Sequence, residues 1–155
     1  MLQLKRIIKF IIMIIVIRYN MIGDLFYEAT GKITNQRVLD TTGPKLEASF
    51  TAYGNMKDIP VMEIGTFWSI PRPNGKVYGE DKDIIFTRDN SGEIATANAK
   101  VIGQPVDTDT MRFVGSVFFN ASSNGKLTFL NDIVGVFEAE VKKGSEMHIR
   151  KWEWK

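Results

Sequence analysis

The amino-acid sequence predicts an all-β fold, a small closed antiparallel up-and-down barrel of about eight strands. Three observations carry that expectation. Short runs rich in Val, Ile, Phe and Thr recur along the chain with no sustained helical period. Turn-forming residues punctuate them at intervals of roughly ten to fourteen residues, the spacing of an antiparallel sandwich or barrel. Glycines at Gly31, Gly65, Gly79, Gly115 and Gly135 fall inside the runs, where the tight bends of a small barrel use them.

The longest paired signal lies between Arg112 and Val141. Phe113 to Phe119 forms one apolar run, Asn120 to Gly125 breaks it, and a second runs from Leu127 through Ile133 to Val141 before Lys142-Lys143-Gly144. Leu127 to Asp132 alternates poorly and is expected to be a helical turn or a bulge.

Taken in order, Phe26 to Leu39 alternates small or apolar with polar residues and ends at Asp40-Thr41-Thr42-Gly43-Pro44. Leu46, Ala48, Phe50 and Ala52 then alternate with Glu47, Ser49, Thr51 and Tyr53, the period of a strand with one wet face. Ile59 to Ile70 is followed by Pro71-Arg72-Pro73-Asn74-Gly75, a strong turn. Val77 to Gly79 reads as a short strand and Asp83 to Arg88 as another. Glu93 to Ile102 carries Ala95, Ala97, Ala99 and Val101 on one parity, and Met147 to Trp154 closes the series with Trp152 and Trp154 sharing a face.

Several strands are apolar on both parities, notably around Thr66, Gly115 and Gly135. Either another subunit covers the outside of a barrel or two sheets pack face to face. The internal glycines favour the barrel, and with it a homo-oligomer, a trimer or a dimer.

The chain divides into an apolar, basic N-terminal extension (1–20) and the barrel domain (21–155). Lys5, Arg6, Lys9 and Arg18 are the charged residues of the extension, so the remaining 16 basic and 18 acidic residues leave the domain slightly acidic. That balance provides no footprint for nucleic acid. Ile7 to Ile17 is shorter than the roughly twenty apolar residues that span a bilayer, and no small-residue cleavage site follows it. The expected reading is that Met21 is the true start and the extension is upstream sequence. A signal-like or membrane-associated segment is the alternative, and only through it would the protein touch a membrane. The expected location is cytoplasmic, with export or membrane association as the alternative.

There are no cysteines, which removes disulfides, thiolate metal sites and cysteine nucleophiles. His148 is the sole histidine, so no multi-histidine metal site exists; neither metal nor cofactor is expected.

The richest chemistry lies in Glu63 to Pro73 and in Tyr78-Gly79-Glu80. Met62, Ile64, Thr66, Trp68 and Ile70 share one parity, and Glu63, Gly65, Phe67 and Ser69 the other. Ordinary burial preferences put the first set inward, with Trp68 in the core and Glu63 in solvent. The reverse would put a carboxylate inside an apolar barrel, where burial raises its pKa and fits it for acid or base work. Glu80, Arg112 and Glu138 carry the same ambiguity, and a buried Arg112 would need an acidic partner. Candidate ligand-binding residues are therefore Glu63, Trp68, Tyr78, Glu80, Arg112 and Phe118.

The segments Gly65-Thr66-Phe67-Trp68-Ser69-Ile70-Pro71-Arg72-Pro73, Tyr78-Gly79-Glu80, Gly125-Lys126-Leu127 with Phe129-Leu130-Asn131, Gly135-Val136-Phe137-Glu138 and Trp152-Glu153-Trp154-Lys155 resemble an uncharacterised family of small prokaryotic proteins. More distantly, the pattern is similar to the allene oxide cyclase and dirigent type of calycin-like barrel. That likeness implies an eight-stranded barrel, commonly a trimer. It carries no catalytic residues onto this chain. The functions expected are three: binding of a small apolar or aromatic molecule, a homo-oligomeric structural barrel without ligand, and a cyclase or isomerase using a buried carboxylate.

Overall fold

Eight strands, each paired with its neighbours in sequence, curl until the first meets the last. The computed structural model describes residues 22–155; the N-terminal extension reading lies outside these residues. The strands are β1 (Ile22–Asp40), β2 (Lys45–Met56), β3 (Ile59–Pro71), β4 (Val77–Thr87), β5 (Ile94–Pro105), β6 (Thr110–Ala121), β7 (Val134–Lys142) and β8 (Glu146–Trp154). Every pairing is antiparallel, and the β1–β8 ladder, from Ile22↔Trp154 to Lys32↔Glu146, closes the barrel. Closure leaves no unpaired sheet edge.

The hairpins follow local chemistry. Lys57 and Asp58 both adopt the left-handed conformation, which gives the two-residue turn between β2 and β3 the twist a hairpin needs. Asn74 and Gly75 do the same between β3 and β4. Leu127 to Asp132 forms the expected turn, a short 3-10 segment at Thr128–Asp132.

Two corrections concern the strands. Val77 to Gly79 and Asp83 to Arg88 are not separate: β4 runs unbroken from Val77 to Thr87, straight through Glu80-Asp81-Lys82-Asp83. The four charges do not break the strand because they alternate, Glu80 and Lys82 outward, Asp81 and Asp83 inward. The parity of β3 is also the reverse of the expectation. Val61, Glu63, Gly65 and Phe67 face the lumen, while Trp68 lies outside. An eight-stranded lumen is just wide enough for side chains, and here it is filled at many levels by Ala and Gly. Ala48, Ala52, Ala95, Ala97, Ala99 and Ala139 are all buried. A row of Trp and Ile at those levels would not fit.

The two ends differ. At one, Leu127 and Leu130 plug the opening beneath the 3-10 turn, and Phe26 packs edge-on against Phe119 and Phe129 with centroids 5.9 and 6.1 Å apart. At the other, which carries the β1–β2, β3–β4, β5–β6 and β7–β8 turns, Phe67 and Phe113 meet edge-on at 5.9 Å and remain half-buried. This is the barrel's mouth.

The β1–β8 pairing shifts register between Leu25 and Tyr27. Such a bulge breaks the strict alternation of a strand, so consecutive residues Phe26 and Tyr27 are both buried. Phe26 closes the plugged end, and Tyr27 reaches the middle of the lumen.

Candidate functional site

Five ionisable side chains from four strands converge inside the barrel. Glu63 comes from β3, Asp81 and Asp83 from β4, Lys151 from β8 and Tyr27 from β1. Each sits on the inward parity of its strand, so ordinary pleating brings them together across the lumen.

Lys151 is the hub. Its Nζ pairs with Glu63 Oε1 and lies 3.9 Å from Asp83 Oδ2. The ammonium also faces the Tyr27 ring at 4.8 Å and the Phe119 ring at 5.7 Å. The Tyr27 hydroxyl donates to Glu63 Oε2 at 2.7 Å, so both oxygens of a fully buried carboxylate are satisfied. Asp81 Oδ1 and Asp83 Oδ1 have essentially no accessible surface and no hydrogen-bond partner. Asp81 as a residue is only half-buried, yet that oxygen is shut away from solvent.

Three acids surround one base, and the proton affinities shift accordingly. Burial, helped by the Glu63 charge, pushes the Asp81 carboxyl from its ordinary 3.8 up to about 6. Burial and the charges of Glu63 and Asp81 hold Asp83 well above the usual carboxylate range. For Lys151 burial pulls downward, but Glu63, Asp83 and Asp81 outweigh it and the pKa rises. Lys151 therefore stays an ammonium, a counter-ion rather than a nucleophilic amine. Burial, then the Glu63 carboxylate, keeps the Tyr27 phenol protonated.

Between this cluster and the mouth lies a cavity of about 40 Å³. Phe50, Phe67, Phe113 and Phe137 line it, with Asp81 and Lys151 also in its wall. That is room for a few waters. Gly65 makes part of the arrangement possible, because a Cβ there would overlap Asp83 Oδ1 and the Phe50 ring.

Of the six candidates from the sequence, Glu63 is in the lumen and five are on the outer surface. Trp68 lies edge-on to Tyr78 at 5.8 Å with Lys45 Nζ 4.0 Å over its ring. The Tyr78 hydroxyl donates to Glu80 Oε1 at 2.9 Å. Arg112 has the acidic partner it was expected to need, but at the surface: it and Arg150 both grip Glu138, the latter at 2.6 Å, and lower its pKa, the hydrogen bond from Arg112 most. Phe118 is exposed. His148 is also outside, with Nε2 3.0 Å from Glu28 Oε1.

Sequence reasoning missed Asp81, Asp83, Lys151 and Tyr27. A signal for Lys151 was present: it shares the parity of Met147 and Ile149, a lone cation on an apolar face. Among the described residues no group of His, Asp or Glu is arranged to hold a metal ion, and no helix is long and apolar enough to cross a membrane.

No protein-family model matches the sequence, and no curated protein matches it. Solved structures do match in shape. A conserved protein of unknown function from Rhodopseudomonas palustris superposes with a TM-score of 0.68 at 16% identity, covering 84% of this chain and 95% of its own. A protein of unknown function from Clostridium acetobutylicum gives 0.72 at 13%, covering 85% and 97%. A beta-barrel like protein from Acinetobacter baumannii gives 0.71 at 16%, covering 86% and 95%. The chain thus shares its fold with bacterial barrels of unknown function, and at these identities the likeness extends to the fold alone.

Proposed function

We propose that the protein binds a small, largely apolar molecule that enters at the Phe67–Phe113 mouth and reaches Asp81 and Lys151. The observation that carries this reading is the meeting of an aromatic-lined void with an ionised cluster midway down the barrel. Stability alone gives little reason for such a cluster, since well-packed apolar residues in place of buried ions are often neutral or stabilising. The cavity is far below the roughly 300–1,000 Å³ of ordinary ligand pockets. Binding therefore requires Phe67 and Phe113, both half-buried at the rim, to swing outward. An enzymatic variant, a cyclase or isomerase using a buried carboxylate, would move its proton through Asp81, because Glu63 is already held by Lys151 and Tyr27.

The test is a thermal-shift and native mass-spectrometry screen of apolar amines, alcohols and acids against the wild type and Ala139→Leu. Ala139 lines the void, so the larger side chain fills it. The reading expects stoichiometric binders that Ala139→Leu loses. A screen with no binder, or binders indifferent to Ala139→Leu, overturns it.

A second reading, assembly into a dimer or trimer, is favoured by the outer faces of β2 to β5. Tyr53, Ile64, Ile84 and Ile94 are exposed there, and Ile64 and Ile84 are direct cross-strand partners. Sedimentation at micromolar concentration tests it: an oligomer that Ile64→Lys dissociates supports the reading, and a wild-type monomer removes it.

A further inference from the structure

We propose that the molecule taken into the lumen is an apolar amine, its ammonium seated on Asp81 and its hydrocarbon part among Phe50, Phe67, Phe113 and Phe137. This rests on the proposed binding function and specifies the chemistry of the ligand.

Most polar atoms of the cluster are already spoken for. Lys151 is committed to Glu63, with Asp83 Oδ2 at 3.9 Å as its next neighbour. Both Glu63 oxygens are used. What is left over is acceptor capacity on the Asp81–Asp83 pair: the raised Asp83 carboxyl shares its proton with Asp81, but among the described residues no cation pairs with Asp81, and Asp81 Oδ1 is buried without another donor. A buried acceptor without a partner is costly and uncommon. Asp81 lies in the wall of the void, so once Phe67 and Phe113 swing outward a donor from the mouth can approach its carboxyl.

Charge then selects among donors. The groups facing Asp81 are Asp83 beside it on β4, Glu63 on β3 and Lys151 on β8, so the lumen holds one cation against three potential anions. An apolar carboxylate would meet this excess of negative charge, and its natural partner, Lys151, is already engaged. A neutral alcohol could donate one hydrogen bond but would leave the charge unbalanced. An ammonium supplies both a donor and the missing charge, and the four phenylalanines lining the void supply apolar surface for its hydrocarbon part. Because the ammonium needs an ionised Asp81, amine binding should weaken as pH falls through about 6, with Lys151 charged throughout.

Calorimetric titration with hexylamine, hexanol and hexanoate at pH 7.5 and pH 5 tests the proposal. The expected result is hexylamine binding at least tenfold tighter than the other two at pH 7.5, with the margin shrinking at pH 5. Asp81→Asn should abolish the preference for hexylamine over hexanol. If hexanol or hexanoate binds as tightly as the amine, the amine assignment is overturned while the lumen remains a ligand site. If none of the three binds, and the wider screen of amines, alcohols and acids also has no member that depends on Ala139, both readings fall together. The comparison of three ligands in the wild type does not require Asp81→Asn to fold.

Discussion

Lys151→Met removes the ammonium at the centre of the barrel while keeping an unbranched apolar side chain in its place. Glu63 would then be fully buried with only the Tyr27 hydroxyl to stabilise it. Breaking a buried ion pair from one side typically costs about 3–5 kcal/mol, because the remaining charge is left uncompensated. Asp83 lies 3.9 Å away, and its raised pKa makes it a weaker partner of the ammonium than Glu63. Relief of the ammonium's own burial and protonation of the acids offset part of this, so a net loss of about 3–5 kcal/mol at pH 7.5 is expected. Urea unfolding should show a lower midpoint with an unchanged slope, and the melting temperature should fall by roughly 10 °C or more. Glu63→Gln should cost less, since Lys151 retains Asp83. The double variant should be more stable than the summed single effects imply, by at least about 1 kcal/mol. A loss below about 1 kcal/mol for Lys151→Met, or strict additivity, would refute the claim that these charges face each other in the lumen.

Asp81 makes stability depend on pH in a specific direction. Its carboxyl rises from 3.8 to about 6 on folding, so between those values the native chain binds more protons than the unfolded one. Its contribution is fully present below about pH 4 and is lost as pH climbs to about 6, a change of about 3 kcal/mol. The wild-type minus Asp81→Asn difference in urea unfolding free energy should track this fall, and a rise over the same window would contradict it. Gly65→Ala should destabilise by about 1–3 kcal/mol through overpacking against Asp83 and Phe50, read from the urea midpoint; a neutral result would mean β3 is not seated as described. Arg112→Ala should cost under about 1 kcal/mol, because the arginine is substantially exposed and Arg150 still holds Glu138. Ligand titrations should be indifferent to that change.

Much of the fold was legible because strand patterning is local. The alternation of Ala95, Ala97, Ala99 and Val101 marked the inner face of β5, and the poor alternation of Leu127 to Asp132 marked the 3-10 turn. The site was largely hidden for physical reasons that local patterns do not carry. Bulk and hydrophobicity pointed Trp68 inward, whereas a narrow lumen selects the smaller set around Gly65. Glu80 to Lys82 fell between two expected strands, although pleating separates the charges of Glu80 to Asp83 into two outer and two inner groups. The bulge that turns Phe26 inward beside Tyr27 leaves no mark in composition. Glu63 was identified as one of two options, but its partner Lys151, 88 residues away, became visible only with closure of the barrel.

At the centre of this picture, β4 carries Asp81 and Asp83 into a closed lumen around one ammonium. Carbon-13 NMR titration of the two side-chain carboxyls tests this most directly. The structure predicts a midpoint for Asp81 near 6 and one for Asp83 well above the ordinary range. Two independent midpoints close to 3.8 would place both carboxyls in solvent and contradict it.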